Sequence, residues 1–301
     1  MSSCFAWLIL ALLTALLTLT PAVADAARLQ IAWNPGLEAL ALQALLARQD
    51  DEGLTTLQRQ ARADFAGFGR HPLISGSALS EANIRHVLTP ERLAQASSFA
   101  DFLRISHLGD WLERHRADYE LARRQLLGAL PHQDLLAVQE AWHRRSFGNY
   151  AVFFSPLLPI GTHKGLTLLS ADGQLLPIQV LGPVLDPDGK ATFADGENLI
   201  YLMLREFGHA FCDPVVASFA AGPELALNQE LLVRAVHARL VLQLYGPEAY
   251  ERHLQREAAQ GYGPIRRFAA RLEDYERNPA RYPSLTAFYP ELVKALAEAG
   301  E

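Results

Sequence analysis

The most informative segment of the chain reads Leu204-Arg205-Glu206-Phe207-Gly208-His209-Ala210-Phe211-Cys212-Asp213-Pro214. Its apolar residues recur with helical spacing. We predict a helix over residues 197–211 that stops at Pro214, because proline cannot continue a helix. On this helix Arg205 and His209 lie one turn apart on the same face, with Glu206 beside them. The helix therefore presents a guanidinium, a carboxylate and an imidazole together.

This pattern differs at one position from His-Glu-x-x-His, the helical motif of zinc peptidases. In that motif two imidazoles one turn apart bind the metal, and the glutamate after the first histidine is the general base. Glu206 and His209 stand at their expected positions, but Arg205 replaces the first histidine. A guanidinium has no lone pair to donate and keeps its proton in proteins, so Arg205 cannot be a zinc ligand.

Glu230 is the candidate for the third ligand, because it stands at the start of a second strong helix predicted over residues 229–244. Two imidazoles and one carboxylate would leave an open position for water on zinc, which a catalytic site requires. With Arg205 present, the guanidinium can instead bridge Glu206 and Glu230. We expect His209 and Glu230 to face each other across two packed helices, with the Arg205 head group between the two carboxylates.

Other side chains could still complete a metal site. His237 shares a helix face with Glu230 but lies ~10 Å along the axis from it. His163 precedes a β-prone run and could reach a cleft. Asp213 could approach the face of His209, although a polar residue at the end of the helix is the simpler interpretation. The remaining histidines in polar helical contexts are predicted at the surface: His107, His115, His143 and His253.

The N-terminus carries the pattern of a secretory signal. The first 24 residues contain no Lys, Arg, Asp or Glu, and an apolar run over residues 5–19 leads to small residues at Ala22, Ala24 and Ala26. This predicts a signal peptide over residues 1–26 and a secreted or periplasmic protein. A retained anchor is the alternative, because the apolar run is near the lower length limit for a membrane span. After cleavage we expect no membrane span.

Charge and cysteine content narrow the function classes. The net charge is −6 and no basic block is present, so we expect no nucleic-acid partner. Of the two cysteines, Cys4 lies in the predicted signal peptide, which leaves Cys212 alone and excludes an intrachain disulfide. Cys212 lies in an apolar helical pattern and is predicted to be a small buried residue.

The order of elements predicts an α+β fold that is mostly helical. Residues 27–148 form a helical region. Three short β-prone runs follow, which we interpret as a small antiparallel sheet of three strands or four: residues 150–154, 166–169 and 178–181. The motif helix and a following long helix then complete a zincin-like core over residues 149–301, which we expect to be continuous with the preceding region.

Several segments resemble family 4932 of the domains of unknown function, whose members look like secreted gluzincin-type peptidases. Residues 207–211 with Asp213-Pro214 are similar to the family segment His-Glu-Phe-Ser-His-Ser-Phe-Val-Asn-Pro. The resemblance extends loosely over most of residues 30 to 295. Its further elements are Asn34-Pro35-Gly36-Leu37-Glu38, Phe65 with His71-Pro72, Asn149-Tyr150, and Glu230 with Arg234-Ala235.

The resemblance implies that His209 and Glu230 are metal ligands and that Glu206 is the general base. Arg205 and Asp213 depart from the family pattern, which has His and Asn there. We therefore expect a gluzincin-like protein with a degenerate zinc site that binds peptide or protein without catalysis and without a cofactor. One alternative is an active zinc metallopeptidase with an atypical ligand set. Another is a structural or interaction protein of the envelope.

Overall fold

The computed structural model describes residues 28–69, 71, 78–89, 97–131, 133–169 and 173–297. The predicted signal peptide, residues 1–26, lies outside the described residues. Helices dominate the described part and a small mixed sheet accompanies them, so the predicted α+β, mostly helical class is confirmed. Among the described residues, no helix is both long enough and apolar enough to cross a membrane.

The N-terminal region is built around one buried helix. Helix α1 begins where the Asn34 side chain accepts hydrogen bonds from the backbone N–H groups of Gly36 and Leu37, with Pro35 in its first turn. It is buried along most of its length and packs against α2, α3 and α4. The helices of this region are α1 (Pro35–Leu46), α2 (Thr56–Asp64), α3 (Glu81–Leu88), α4 (Ser97–Ser106), α5 (Leu108–Arg114), α6 (Arg116–Ala129) and α7 (Leu135–His143).

The main sheet has the strand order β1-β2-β4-β3. Its strands are β1 (Leu29–Ala32), β2 (Tyr150–Phe154), β3 (His163–Leu169) and β4 (Leu175–Leu181). β1 and β4 each run parallel to β2, and only β3 runs antiparallel to its neighbour β4. A short hairpin of β5 (Val184–Leu185) and β6 (Ala191–Thr192) follows.

The expectation of an antiparallel sheet is therefore wrong for two of its three strand pairs. Residues 177–181 of β4 are buried without alternation, as in a strand covered on both faces, and β4 takes an interior position between β2 and β3. The chain must then pass from β2 to the far edge before it returns as β4. The sequence pattern also does not predict β1, whose four residues pair with a strand more than a hundred positions away.

The motif helix is longer than predicted and is interrupted once. It forms α8 (Gly196–Glu206) and α9 (Gly208–Ala217), which are separated at Phe207. The predicted stop at Pro214 is wrong, because Pro214 lies inside α9. Proline inside a helix costs about 3 kcal/mol. Burying a valine contributes about 1.5–3 kcal/mol, and both Val215 and Val216 are buried in the core, so packing offsets the lost hydrogen bond.

The helix after the motif is α10 (Leu225–Ala259), which bends at Gly246. Gly246 has φ 82°, a left-handed value that glycine tolerates, and Pro247 follows it. The helix predicted over residues 229–244 lies in the first arm of this bent element. Helices α11 (Ile265–Arg277) and α12 (Leu285–Ala297) complete the described chain. The first arm of α10 packs against α8 and α9, which in turn pack against β3.

Candidate functional site

The candidate site lies where α8, α9, α10 and β3 meet. The end of α8 supplies Arg205 and Glu206, the first turns of α9 supply His209, and the start of α10 supplies Glu230. His163 is the first residue of β3. These segments are far apart in the chain, and the packing of α8 and α9 against both β3 and α10 brings them together.

Arg205 lies between the two carboxylates, as predicted. Its Nη1 is 3.3 Å from Glu206 Oε1, and its Nη2 donates to Glu230 Oε2 at 3.0 Å. The side chain of Arg205 is 12% exposed and that of Glu206 is 5% exposed. Burial lowers the pKa of Arg205, but the charges of Glu206 and Glu230 outweigh burial and raise it above its ordinary value. The guanidinium is therefore a permanent cation in the centre of the site.

His209 and Glu230 face each other, which also confirms the predicted geometry. His209 Nε2 is 3.6 Å from Glu230 Oε1. Burial raises the pKa of Glu230, but the charges of Arg205 and His209 outweigh burial and bring it below its ordinary value. Glu230 is therefore held as a carboxylate that receives cationic groups from both α8 and α9.

Asp213 orients His209. The two carboxylate oxygens of Asp213 lie 3.0 and 3.3 Å from His209 Nδ1, one helical turn away. Burial lowers the pKa of His209, but the hydrogen bond with Asp213 and the charges of Asp213, Glu206 and Glu230 raise it overall. The interpretation of Asp213 as a helix-end residue is wrong, because α9 continues past Pro214 to Ala217 and keeps Asp213 on the face of His209.

Glu206 is fixed by the edge strand as well as by Arg205. Its Oε2 accepts a hydrogen bond from the backbone N–H of Gly165 at 2.7 Å. A Cβ atom at Gly165 would overlap the backbone of Glu206, so only glycine allows β3 to lie this close to α8. Sequence reasoning missed Gly165. The available signal was a glycine next to a β-prone run, which often marks a close approach of two backbones.

His163 reaches the site and His237 does not. His163 Nε2 is 3.2 Å from Arg205 Nη1 and 3.8 Å from Glu206 Oε1. His237 is 1% exposed, and neither ring nitrogen has a hydrogen-bond partner. Its ring packs against those of Tyr201 and His253. Burial and the nearby cationic groups lower the pKa of His237 far below its ordinary value, so it is a neutral core residue.

The predictions for two other histidines are wrong. His143 and His253 were expected at the surface, but both are buried. His143 stacks face to face on Phe211 with a centroid distance of 4.1 Å. His253 lies on the second arm of α10, which folds back beside the first arm at the Gly246 bend. The helical pattern alone does not show which face such a bend will cover.

Two further charged residues, Arg234 and Glu257, continue the ion pairs beyond Glu230. Arg234 Nε donates to Glu230 Oε2 at 2.9 Å, and its Nη1 donates to Glu257, whose side chain is fully buried. The Tyr201 hydroxyl donates to Glu257 Oε1 at 2.5 Å. The spacing of Glu230 and Arg234 is visible in the sequence. Glu257 was missed because it lies after the Gly246 bend, on the second arm of α10.

The residues of the site do not fit a zinc ion. A His₂Glu site needs three ligands around one point, and here the position of the first ligand carries the guanidinium of Arg205. Nowhere in the described part of the chain do three or more His, Cys, Asp or Glu side chains form a group that could hold a metal ion. The arrangement is a chain of alternating charges that runs from Glu206 through Arg205, Glu230 and Arg234 to Glu257. We call these five residues the charged cluster.

Comparison with known families supports part of the sequence analysis. Residues 222–295 match the family described as Domain of unknown function (DUF4932). This is the family that the sequence motifs resemble, and the matched segment contains Glu230 and Arg234. The motif residues Arg205, Glu206 and His209 precede that segment. No curated protein and no solved structure matches the chain.

Proposed function

We propose that this protein binds peptide or protein at a degenerate gluzincin-like zinc site, without catalysis, in a secreted or periplasmic location. The observation that carries the proposal is the position of Arg205, which lies between Glu206 and Glu230 within ion-pair distance of both. The guanidinium supplies the positive charge that zinc would bring to these carboxylates. Removing the guanidinium from beside these carboxylates would be costly, so Arg205 stabilises the site.

Glu206 is poorly placed to act as a general base. A base needs an oxygen within hydrogen-bond reach of the proton that it removes. Here one oxygen accepts from Gly165 and the other lies beside Arg205, and the residue is 4% exposed. These contacts favour a binding role over a hydrolytic one.

A cavity beside the site supports the binding role. It has a volume of about 200 Å³, and its lining includes His163, which contacts Arg205 and Glu206. Buried apolar residues form its floor, including Leu126, Leu199 and Leu202, while Asn198 lies on its partly exposed wall. This space suits one apolar side chain of a bound peptide, whose polar backbone would meet the charged cluster.

The edge of β3 is less open to an added strand than an unpaired edge would be. The Gly165 N–H donates to Glu206, and the Thr167 carbonyl accepts from Arg85 of α3. A peptide that adds to a sheet edge needs such groups free. We therefore place the peptide at the start of β3, beside His163, whose side chain is 37% exposed.

One observation favours a second candidate, the active zinc metallopeptidase. His163 Nε2 lies 3.8 Å from Glu206 Oε1, so an imidazole is present on the side where the first ligand is missing. Ligation would require Arg205 to leave, because Arg205 Nη1 lies 3.2 Å from the same nitrogen. In that case His163, His209 and Glu230 would hold zinc.

Metal analysis and peptide binding together test the proposal. Chelator-treated protein reloaded with zinc should contain far less than one zinc per chain and should leave casein uncleaved. On a peptide array the protein should bind apolar peptides, and Asn198→Trp, which blocks the cavity, should abolish binding. Glu197→Trp is the matched control, because Glu197 is exposed and does not line the cavity.

The other outcomes identify the alternatives. One zinc per chain together with casein cleavage, both lost in His163→Ala, would establish the metallopeptidase. Absence of zinc together with absence of peptide binding would leave the structural envelope role. Peptide binding that survives Asn198→Trp would contradict the placement of the ligand in this cavity.

A further inference from the structure

A second cavity lies away from the candidate site, between α7, α10 and α11. Its volume is about 400 Å³, within the range of small-molecule pockets. The apolar residues Trp142 and Leu242 line it together with the charged residues Arg144, Arg239 and Glu276. None of these residues belongs to the charged cluster or lines the cavity beside His163 that is proposed to bind peptide.

The charges in this cavity do not cancel. Arg239 binds Glu276 through two parallel hydrogen bonds, and the Trp142 indole N–H donates to the same carboxylate at 2.8 Å. Glu276 is therefore fully engaged. Arg144 forms no ion pair with any carboxylate of the described residues, and its hydrogen bonds go to the backbone carbonyls of Tyr275 and Tyr282. The cavity therefore keeps one net positive charge.

The backbone holds Arg144 in an unusual conformation. Arg144 has φ 56° and ψ 39°, the left-handed region that residues with a Cβ rarely adopt, and it ends α7 there. Its guanidinium also packs over the Tyr275 ring, 4.0 Å from the centroid. The same conformation caps α7, because the backbone N–H of Arg144 lies against the carbonyls of Glu140 and Ala141. The head group is thus fixed before any ligand arrives.

We propose that this cavity binds a small organic carboxylate with an apolar body. The Arg144 guanidinium pairs with the carboxylate, which matches its planar fork of donors. Trp142 and Leu242 contact the apolar body. A cationic ligand is disfavoured, because Glu276 already has Arg239 and Trp142 as partners. This site is independent of the proposed function.

The probe for this site is 3-phenylpropionate, with 3-phenylpropionamide as its uncharged counterpart. Isothermal titration of the whole protein should show saturable binding of the acid with a Kd of about 1 mM or tighter, a modest value for a ligand of this size. The amide should bind at least tenfold more weakly. Loss of a charge-assisted hydrogen bond costs about 1.5–3 kcal/mol, which corresponds to a tenfold change or more.

Variants distinguish this site from general attraction to the protein. Arg144→Gln should weaken binding of 3-phenylpropionate at least tenfold, whereas Arg145→Gln should leave it unchanged, because Arg145 is exposed and lies over Phe147 instead. If Arg144→Gln does not fold, Leu242→Trp tests the same site by filling the cavity from α10, and it should abolish binding. Absence of saturable binding, equal binding of acid and amide, or binding that survives Leu242→Trp would each overturn the proposal.

Discussion

At the scale of single residues, Arg205 determines the chemistry of the site. Two unit charges at ~3 Å attract each other by about 5 kcal/mol at an effective dielectric of about 20. Arg205 has two such partners, Glu206 and Glu230, in a partly buried setting. A zinc ion at the same place would face a fixed cation. In the proposed site, the two carboxylates are therefore neutralised by Arg205 instead of by a metal.

Removing the Arg205 charge should destabilise the fold. In Arg205→Ala two carboxylates would share a site without their common cation, and breaking a buried ion pair costs about 3–5 kcal/mol. We expect the lower end of that range, because Glu230 is partly exposed and keeps Arg234 as a partner. Urea unfolding at neutral pH measures the loss. Arg277→Ala is the control, since Arg277 pairs with Glu273 on the exposed surface and should change stability little. Equal effects of the two substitutions would contradict the account.

Glu38 should make stability depend on pH. It is fully buried, and burial raises the pKa of this carboxyl to about 8, although hydrogen bonds from Tyr119 and Ser155 oppose the shift. The folded state therefore keeps a proton that the unfolded state loses above pH 4.5. The stabilisation is complete below that pH and is lost as the pH rises towards about 8.

The slope of this loss is about 1.4 kcal/mol per pH unit where only the folded state holds the proton. Urea unfolding between about pH 5 and 8 should therefore show falling stability in the wild type and a flatter profile in Glu38→Gln, whose amide keeps the shape without titrating. Parallel profiles would show that Glu38 titrates normally in the folded protein.

At the scale of elements, the sequence predicts helices well and strand order poorly. Helix starts carry local signals, such as the Asn34 cap of α1 and the Asp195 cap of α8. The interruption at Phe207 is slight, because its φ of −70° and ψ of −25° remain helical. Strand order depends on pairing between distant segments, which a local pattern does not contain. For that reason β1 was missed and the orientation of two strand pairs was wrong.

Gly165 tests the contact between β3 and α8. In Gly165→Ala the new Cβ would overlap the backbone of Glu206, so the strand and the helix must separate. Overpacking of this kind costs about 1–3 kcal/mol, and the hydrogen bond to Glu206 is lost as well. Gly128→Ala is the matched control, because Gly128 lies in α6 with open space around its Cβ and should gain stability. Similar stability of the two variants would show that β3 does not lie against Glu206.

At the scale of the whole molecule, the fold assembles the site from segments that the sequence keeps apart. The helical spacing of Arg205, Glu206 and His209, with Glu230 on the next helix, predicted the centre of the site. The supporting residues were not predictable in this way. Tyr201 and Glu257 meet because α10 bends at Gly246 and returns to α8. The contact of Asp213 with His209 could not be predicted either. It depends on α9 continuing through Pro214, which is decided by core packing.

In the proposed site, Arg205 stands at the position of one histidine of a His₂Glu ligand set, and His209 and Glu230 are the other two members. Isothermal titration of zinc into Arg205→His and into the wild type tests this arrangement. We expect one zinc per chain in Arg205→His and an affinity more than ~100-fold above that of the wild type, because loss of even a supporting group around zinc costs about 10–100-fold. Adding Glu230→Gln to Arg205→His should remove most of the gain. Equal zinc affinities of Arg205→His and the wild type would show that position 205, His209 and Glu230 are not arranged as a ligand set.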